Sequence, residues 1–189
     1  MAWQRKLYLY VEDCEKTISP EVDDHFDREA NVFTSEVLFQ LDVFTAEAED
    51  YNFGIKVPIR LSKKYGASIY ASIRRYVSRN WRACVVLVLD PPELMPGSGF
   101  RTNLRRVVSS GKFEEMFGEI DWPDHFTPDD EIGAMVPILG RRMSAPRAIG
   151  IRNCNGELCE CVAEAFTQKY QIFILIHAVK TLAGGSIAS

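Results

Sequence analysis

The stretch Ala83-Cys84-Val85-Val86-Leu87-Val88-Leu89, closed by Asp90-Pro91-Pro92, divides the chain into two textures. Seven apolar residues in succession, with valine prominent, suit a strand buried on both faces, and an acid followed by two prolines ends it in a loop. That loop is expected to last to Gly99, with Gly97-Ser98-Gly99 as a turn too short to define a phosphate loop. Beyond it, residues 100–108 fit a strand or a helix, 113–117 a short helix and 122–126 an aromatic loop. Residues 134–139 and 148–152 suggest strands. Asn155-Gly156, between residues 149–152 and 158–166, is a hairpin signal. Residues 170–179 (YQIFILIHAV) read as a central strand or a buried helix.

Upstream of the run the period is helical. Phe26, Ala30, Phe33, Val37, Leu41, Phe44 and Ala48 form one stripe from Asp23 to about Tyr51, with Asp23 and Asp24 suited to its N-terminal end and a bend or break expected near Gln40 to Asp42. Pro58 can open a second helix over 59–65. Gly66 then supplies a left-handed turn and Ser68 a cap for a third helix over 69–78. Leu61, Tyr65, Ile69, Ile73 and Val77 are expected to pack between these two, the layout of a helix-turn-helix unit. The expected fold class is therefore α+β: a helical front, then a mixed α/β back, with a boundary near residue 82.

With 189 residues, 47% of them hydrophobic and 25% charged, the composition excludes a disordered chain, and 12 Gly, 9 Pro and 5 Cys exclude collagen-like and disulfide-scaffold chains. No apolar run approaches the roughly 18 residues of a spanning helix, and the first residues lack a signal-peptide core. A cytoplasmic protein without a membrane partner is expected.

The net charge of −4 conceals segregation. Acids dominate residues 1–50, whereas residues 51–82 carry Lys56, Arg60, Lys63, Lys64, Arg74, Arg75, Arg79 and Arg82 and no acid. So basic a segment can meet nucleic acid or dock on the acidic segment before it, and docking or a solvated face is the simpler expectation. If it binds DNA, residues 69–78 form the recognition helix, with Tyr70 and Arg74 exposed and Arg75 and Arg79 near phosphates.

Residues 27–40, DREANVFTSEVLFQ, carry most of the functional information. An acid, Ala three residues on, Asn four on, and then Phe, Glu and Leu on following turns resemble the second half of the active site of the ImmA/IrrE family of zinc metallopeptidases, E-x-E-A-N-x-F-A-x-E-L-L. Residues 61–68 (LSKKYGAS) with Arg74-Arg75-Tyr76 resemble that family's following helix-turn-helix region, so the resemblance covers roughly residues 24–80. It implies a partial metallopeptidase-like, zincin-like helical region over 1–55, a helix-turn-helix-like unit over 56–82 and an α+β C-terminal domain of sensor-like type over 83–182; the residues themselves suggest a flexible tail over 183–189. It further implies zinc as the family's cofactor, Asp27 at the third-ligand position, and a helix-turn-helix repressor as partner and substrate in stress or mobile-element regulation. A catalytic zinc of this kind also needs His-Glu-x-x-His, for two ligands and a general base. His25, His125 and His177 are the histidines, and none has another four residues on. His25 and Asp27 diverge on a regular helix. The chain is therefore expected to hold no zinc and to be inactive as a hydrolase, with a DNA-binding transcription regulator as the alternative.

Other candidates have plainer explanations. Cys154, Cys159 and Cys161 are expected to be thiols rather than a zinc site, His177 a core histidine, and Asp121, Asp124, Asp129, Asp130 and Glu131 a solvated loop.

Overall fold

The apolar run becomes the centre of the molecule. The computed structural model describes residues 36–179 except 97, 98, 139, 141 and 169. Strand β1 (Cys84–Leu89) is buried along its whole length. It lies between antiparallel neighbours and has a packed layer on each face. The other strands are β2 (Glu93–Met95), β3 (Gly99–Ser109), β4 (His125–Phe126), β5 (Arg147–Arg152), β6 (Leu158–Thr167) and β7 (Ile172–Ala178). They form a curled sheet in the order β2-β3-β1-β7-β6-β5, with β4 paired to β3 beside that path, and these pairings are antiparallel.

The period of two along β1 and β7 sorts side chains into two cores. Val85, Leu87 and Leu89 with Ile172, Ile174 and Ile176 face a cluster closed by Phe113, Phe117 and Phe126. Cys84, Val86 and Val88 with Phe173 and Leu175 face the other cluster, which is closed by Phe44, Leu61, Ile73 and Val77. Each large apolar side chain so enclosed contributes about 1.5–3 kcal/mol. The change of texture near residue 82 is thus a change of layer, and the two layers share a core. The chain is α+β.

Helices α1 (Val43–Glu49), α2 (Lys56–Lys64) and α3 (Ile69–Ser78) make the layer over the second core, while α4 (Gly111–Phe117) closes the first. Residues 36–38 are also helical, and the chain breaks before α1 as the sequence suggests. Gln40 and Leu41 take φ of 51° and 57°. The Leu41 N–H bonds the Glu36 carbonyl (2.9 Å) and the Gln40 N–H that of Val37 (3.2 Å), which is the double closure of a Schellman motif with Gln40 where glycine is usual. Between α2 and α3, Gly66 supplies φ +63°, and the Ser68 hydroxyl accepts from the Ala71 N–H (3.1 Å). Ser110 caps α4 through the Phe113 N–H. Its hydroxyl also accepts from the Cys84 N–H and donates to the Arg82 carbonyl, so one buried side chain ties α4 to the start of β1.

Three expectations need correction. Of the strand expected over 134–139, the described residues 134–138 are not a strand: Gly133–Met135 make one 3-10 turn, and Pro137 offers no N–H to a ladder. The loop after Leu89 does not last to Gly99, because Glu93–Met95 pair with β3. The second helix starts at Lys56, so Pro58 stands third in it, where its missing N–H still has no intrahelical partner to lose. Residues 100–108 and 170–179, left open between strand and helix, are β3 and β7. The Asn155-Gly156 hairpin joins β5 to β6, with Gly156 at φ +81°.

Candidate functional site

The four residues expected to meet DNA occupy unlike places. Arg74 is exposed and makes no ion pair among the described residues. Tyr70 is half-buried: its ring lies 6.4 Å from that of Phe173, and its hydroxyl accepts from Arg106 (3.2 Å). Arg79 reaches Glu36 at 3.1 Å while its side chain stays 57% exposed. Arg75 corrects the expectation outright. It is 5% exposed, and its Nη2 donates to Glu36 Oε2 (2.9 Å) and the Leu41 carbonyl (2.6 Å), while Nη1 takes the other Glu36 oxygen. Its Nε is buried as well, so a guanidinium so enclosed presents no donor to a phosphate at the surface. Helix α3 also buries Ser72, Ile73, Tyr76 and Val77, so its outward strip is narrow.

The acidic and basic segments are joined here. Besides Glu36 with Arg75 and Arg79, Lys64 Nζ and the Tyr65 hydroxyl both donate to Glu47, at 2.7 and 2.9 Å. The hydrogen bond from Arg75 holds the Glu36 carboxyl below its usual range, and that from Lys64 does the same for Glu47.

A second group of polar side chains lies where α2 begins over the sheet. The Glu164 carboxylate of β6 accepts from the Ile55 N–H (3.0 Å), and a Cβ on Gly54 would stand 3.2 Å from its oxygens. It serves as the N-terminal cap that Ile55 cannot supply. The Tyr76 hydroxyl accepts from Gly54 N–H (3.3 Å), and Phe53 stacks on Tyr76 and meets His177 edge-on at 4.7 Å. Cys84 and His177 are cross-strand partners. They do not form a nucleophile and base pair: burial pushes the Cys84 thiol up to about 12 and pushes His177 down, so both are held neutral. His177 Nδ1 is buried without a partner among the described residues.

Asp27 and His25 lie outside the described residues. Among the described residues no three of His, Cys, Asp and Glu come together as a metal-binding group. Cys161 is buried, Cys159 half-buried beside the same core and Cys154 exposed, all as free thiols. The described residues do not fit a catalytic zinc.

An apolar cleft of about 1330 Å³ lies between the β2 edge, residues 128–138 and the turn from β6 to β7. Leu94, Phe100, Val136, Ile138 and Phe166 line it, with Arg142 as the one charged side chain among its described lining residues. Sequence reasoning missed it, since its walls come from segments far apart in the chain. The only prior signals were the prolines at 92, 128 and 137 and the apolar residues beside them. No protein-family model matches the chain, and no curated protein matches it by sequence.

Proposed function

We propose that this chain is an ImmA/IrrE-type, metallopeptidase-like regulator that engages a helix-turn-helix repressor, and that the chain as it stands binds this partner without hydrolysing it. What supports the reading is Glu36. It is the late acid of the motif-bearing segment 27–40, and it is held fork-to-fork by Arg75 of the second segment that carries the resemblance. The described end of the first stretch, at Glu36, thus packs against the second. The absence of any His-Glu-x-x-His in the sequence, with Asp27 alone at a ligand position, argues for binding over cleavage. The alternative of a duplex-binding helix pair is weakened because Arg75 is consumed internally.

The test is to purify the full chain, measure its zinc by elemental analysis and incubate it with candidate helix-turn-helix repressors from its genome. Association with an intact repressor and far less than one zinc per chain is the expected result. One zinc per chain with repressor cleavage would overturn the inactive reading. Failure to associate with any such repressor would overturn the partner.

A further inference from the structure

The apolar cleft has a rigid wall on one side. Gly133 sits so close to the 127 peptide that a Cβ would stand 1.9 Å from the Thr127 oxygen, and Asp130 Oδ2 accepts from both the N–H (2.6 Å) and the hydroxyl (3.0 Å) of Thr127. Pro128 presses against Gly99 in the same way, at 2.9 Å from its Cβ position. A wall so constrained, with Pro92 and Pro137 also lining the cleft, cannot fold inward to cover apolar surface. Around the opening Leu94 is 84% and Ile138 41% exposed, large apolar side chains standing together in water.

The polar equipment is sparse and one-sided. Among the described lining residues Arg142, Thr167, Gln168 and Tyr170 carry polar side-chain atoms, and none is a carboxylate. Arg142 stands on a fixed backbone. Its carbonyl accepts from the Thr167 N–H (2.9 Å), Ser144 N–H bonds the Ala165 carbonyl (2.9 Å), and Ala165 N–H bonds the Ser144 hydroxyl (2.8 Å). Its guanidinium has no acidic partner among the described residues. A peptide laid in this cleft would leave backbone amides without partners, a cost of about 1–3 kcal/mol for each one buried. A molecule with no polar groups along its length and one anion at its end meets no such cost.

We infer that the cleft binds a single-chain aliphatic carboxylate, its hydrocarbon between Leu94, Phe100, Val136 and Phe166 and its head group on Arg142. A guanidinium presents two parallel N–H donors to a carboxylate, which an alcohol of equal length cannot accept. This inference stands on the cleft alone and does not depend on the family reading.

The test is calorimetric titration of the full chain with dodecanoate below its micelle concentration, with dodecanol and a capped apolar pentapeptide as comparisons. Saturable binding of dodecanoate, about fivefold or more tighter than dodecanol because Arg142 is at a solvated rim, is expected. Arg142→Met should abolish that preference while leaving the melting temperature in place, since Arg142 holds its neighbours through its backbone. Leu94→Asp, at a position already in water, should weaken dodecanoate about tenfold. Uptake only above the micelle concentration, equal affinity for acid and alcohol, tighter binding of the peptide, or indifference to Leu94→Asp would each overturn the inference.

Discussion

Arg75 and Glu36 face one another across a helix break, and the same guanidinium that grips both carboxylate oxygens also reaches the Leu41 carbonyl inside the break. Two successive non-glycine residues with positive φ are costly, at roughly 1–2 kcal/mol each. The geometry is offset by what it brings together: the Schellman closure, the Phe39 and Phe44 rings at 4.8 Å, and Arg75. Arg75→Met should therefore lower the thermal midpoint by about 5 °C or more, because it leaves Glu36 Oε2 and the Leu41 carbonyl without their donor and Glu36 Oε1 with Arg79 alone. Glu36→Gln should cost less, and the double variant should fall short of the sum. A double-mutant cycle by thermal melts measures this coupling, and strict additivity would deny it.

Gln40 occupies the position where helices ending in this motif favour glycine. Gln40→Gly should raise stability by about 0.5–1 kcal/mol, the relief of left-handed strain exceeding the entropy glycine adds to the unfolded chain. Urea denaturation reads the shift in midpoint, and an unchanged slope would show that the unfolded state is not the cause.

Acid should loosen the helical layer. Glu36 and Glu47 both titrate below the ordinary glutamate value of 4.5 in the folded chain, through hydrogen bonds from Arg75 and Lys64. A carboxyl with a depressed folded value stabilises fully above its unfolded value and loses that contribution as the pH falls through the folded one. Stability should thus decline below about pH 4.5, and the Glu36→Gln, Glu47→Gln double variant should flatten the decline. Chemical denaturation at stepped pH checks the slope.

His177 works in the same direction at higher pH. Burial lowers its pKa from 6.5, against the opposing pull of Glu164 and with Arg82 adding to the lowering, so protonation disfavours the folded chain as pH drops below 6.5. His177→Phe removes a buried nitrogen that has no described partner and keeps a ring against Phe53. Stability near pH 6 should rise by about 1 kcal/mol, and its dependence on pH just below 6.5 should shrink. A drop in stability at every pH would show that Nδ1 has a role these contacts do not reveal.

What could be read in advance was local. The burial of 84–89 follows from composition over a few residues, the Ser68 cap from a side chain three residues from its donor, and the β5–β6 hairpin from Asn155-Gly156. Residues 134–139 misled because an apolar run looks alike in a strand and in a wall pinned by Gly133. The site was less legible than the fold. Arg75 and Arg74 are adjacent basic residues, and only Glu36, thirty-nine residues upstream, decides which is enclosed. Nor does any spacing announce that Glu164 caps α2 from another layer, since that pairing spans 109 residues. Charge segregation between the first fifty residues and the next thirty was the one long-range signal. The Glu36 and Glu47 bridges account for part of it.

The alternation along β1 and β7 also limits how this protein can be dissected. Cutting the chain before β1 would strip the roof from Val86, Val88, Phe173 and Leu175 and leave a greasy, pleated sheet face open to water. Such a fragment would seek another copy of itself before it sought any ligand, so the sheet can be studied only with its helices attached.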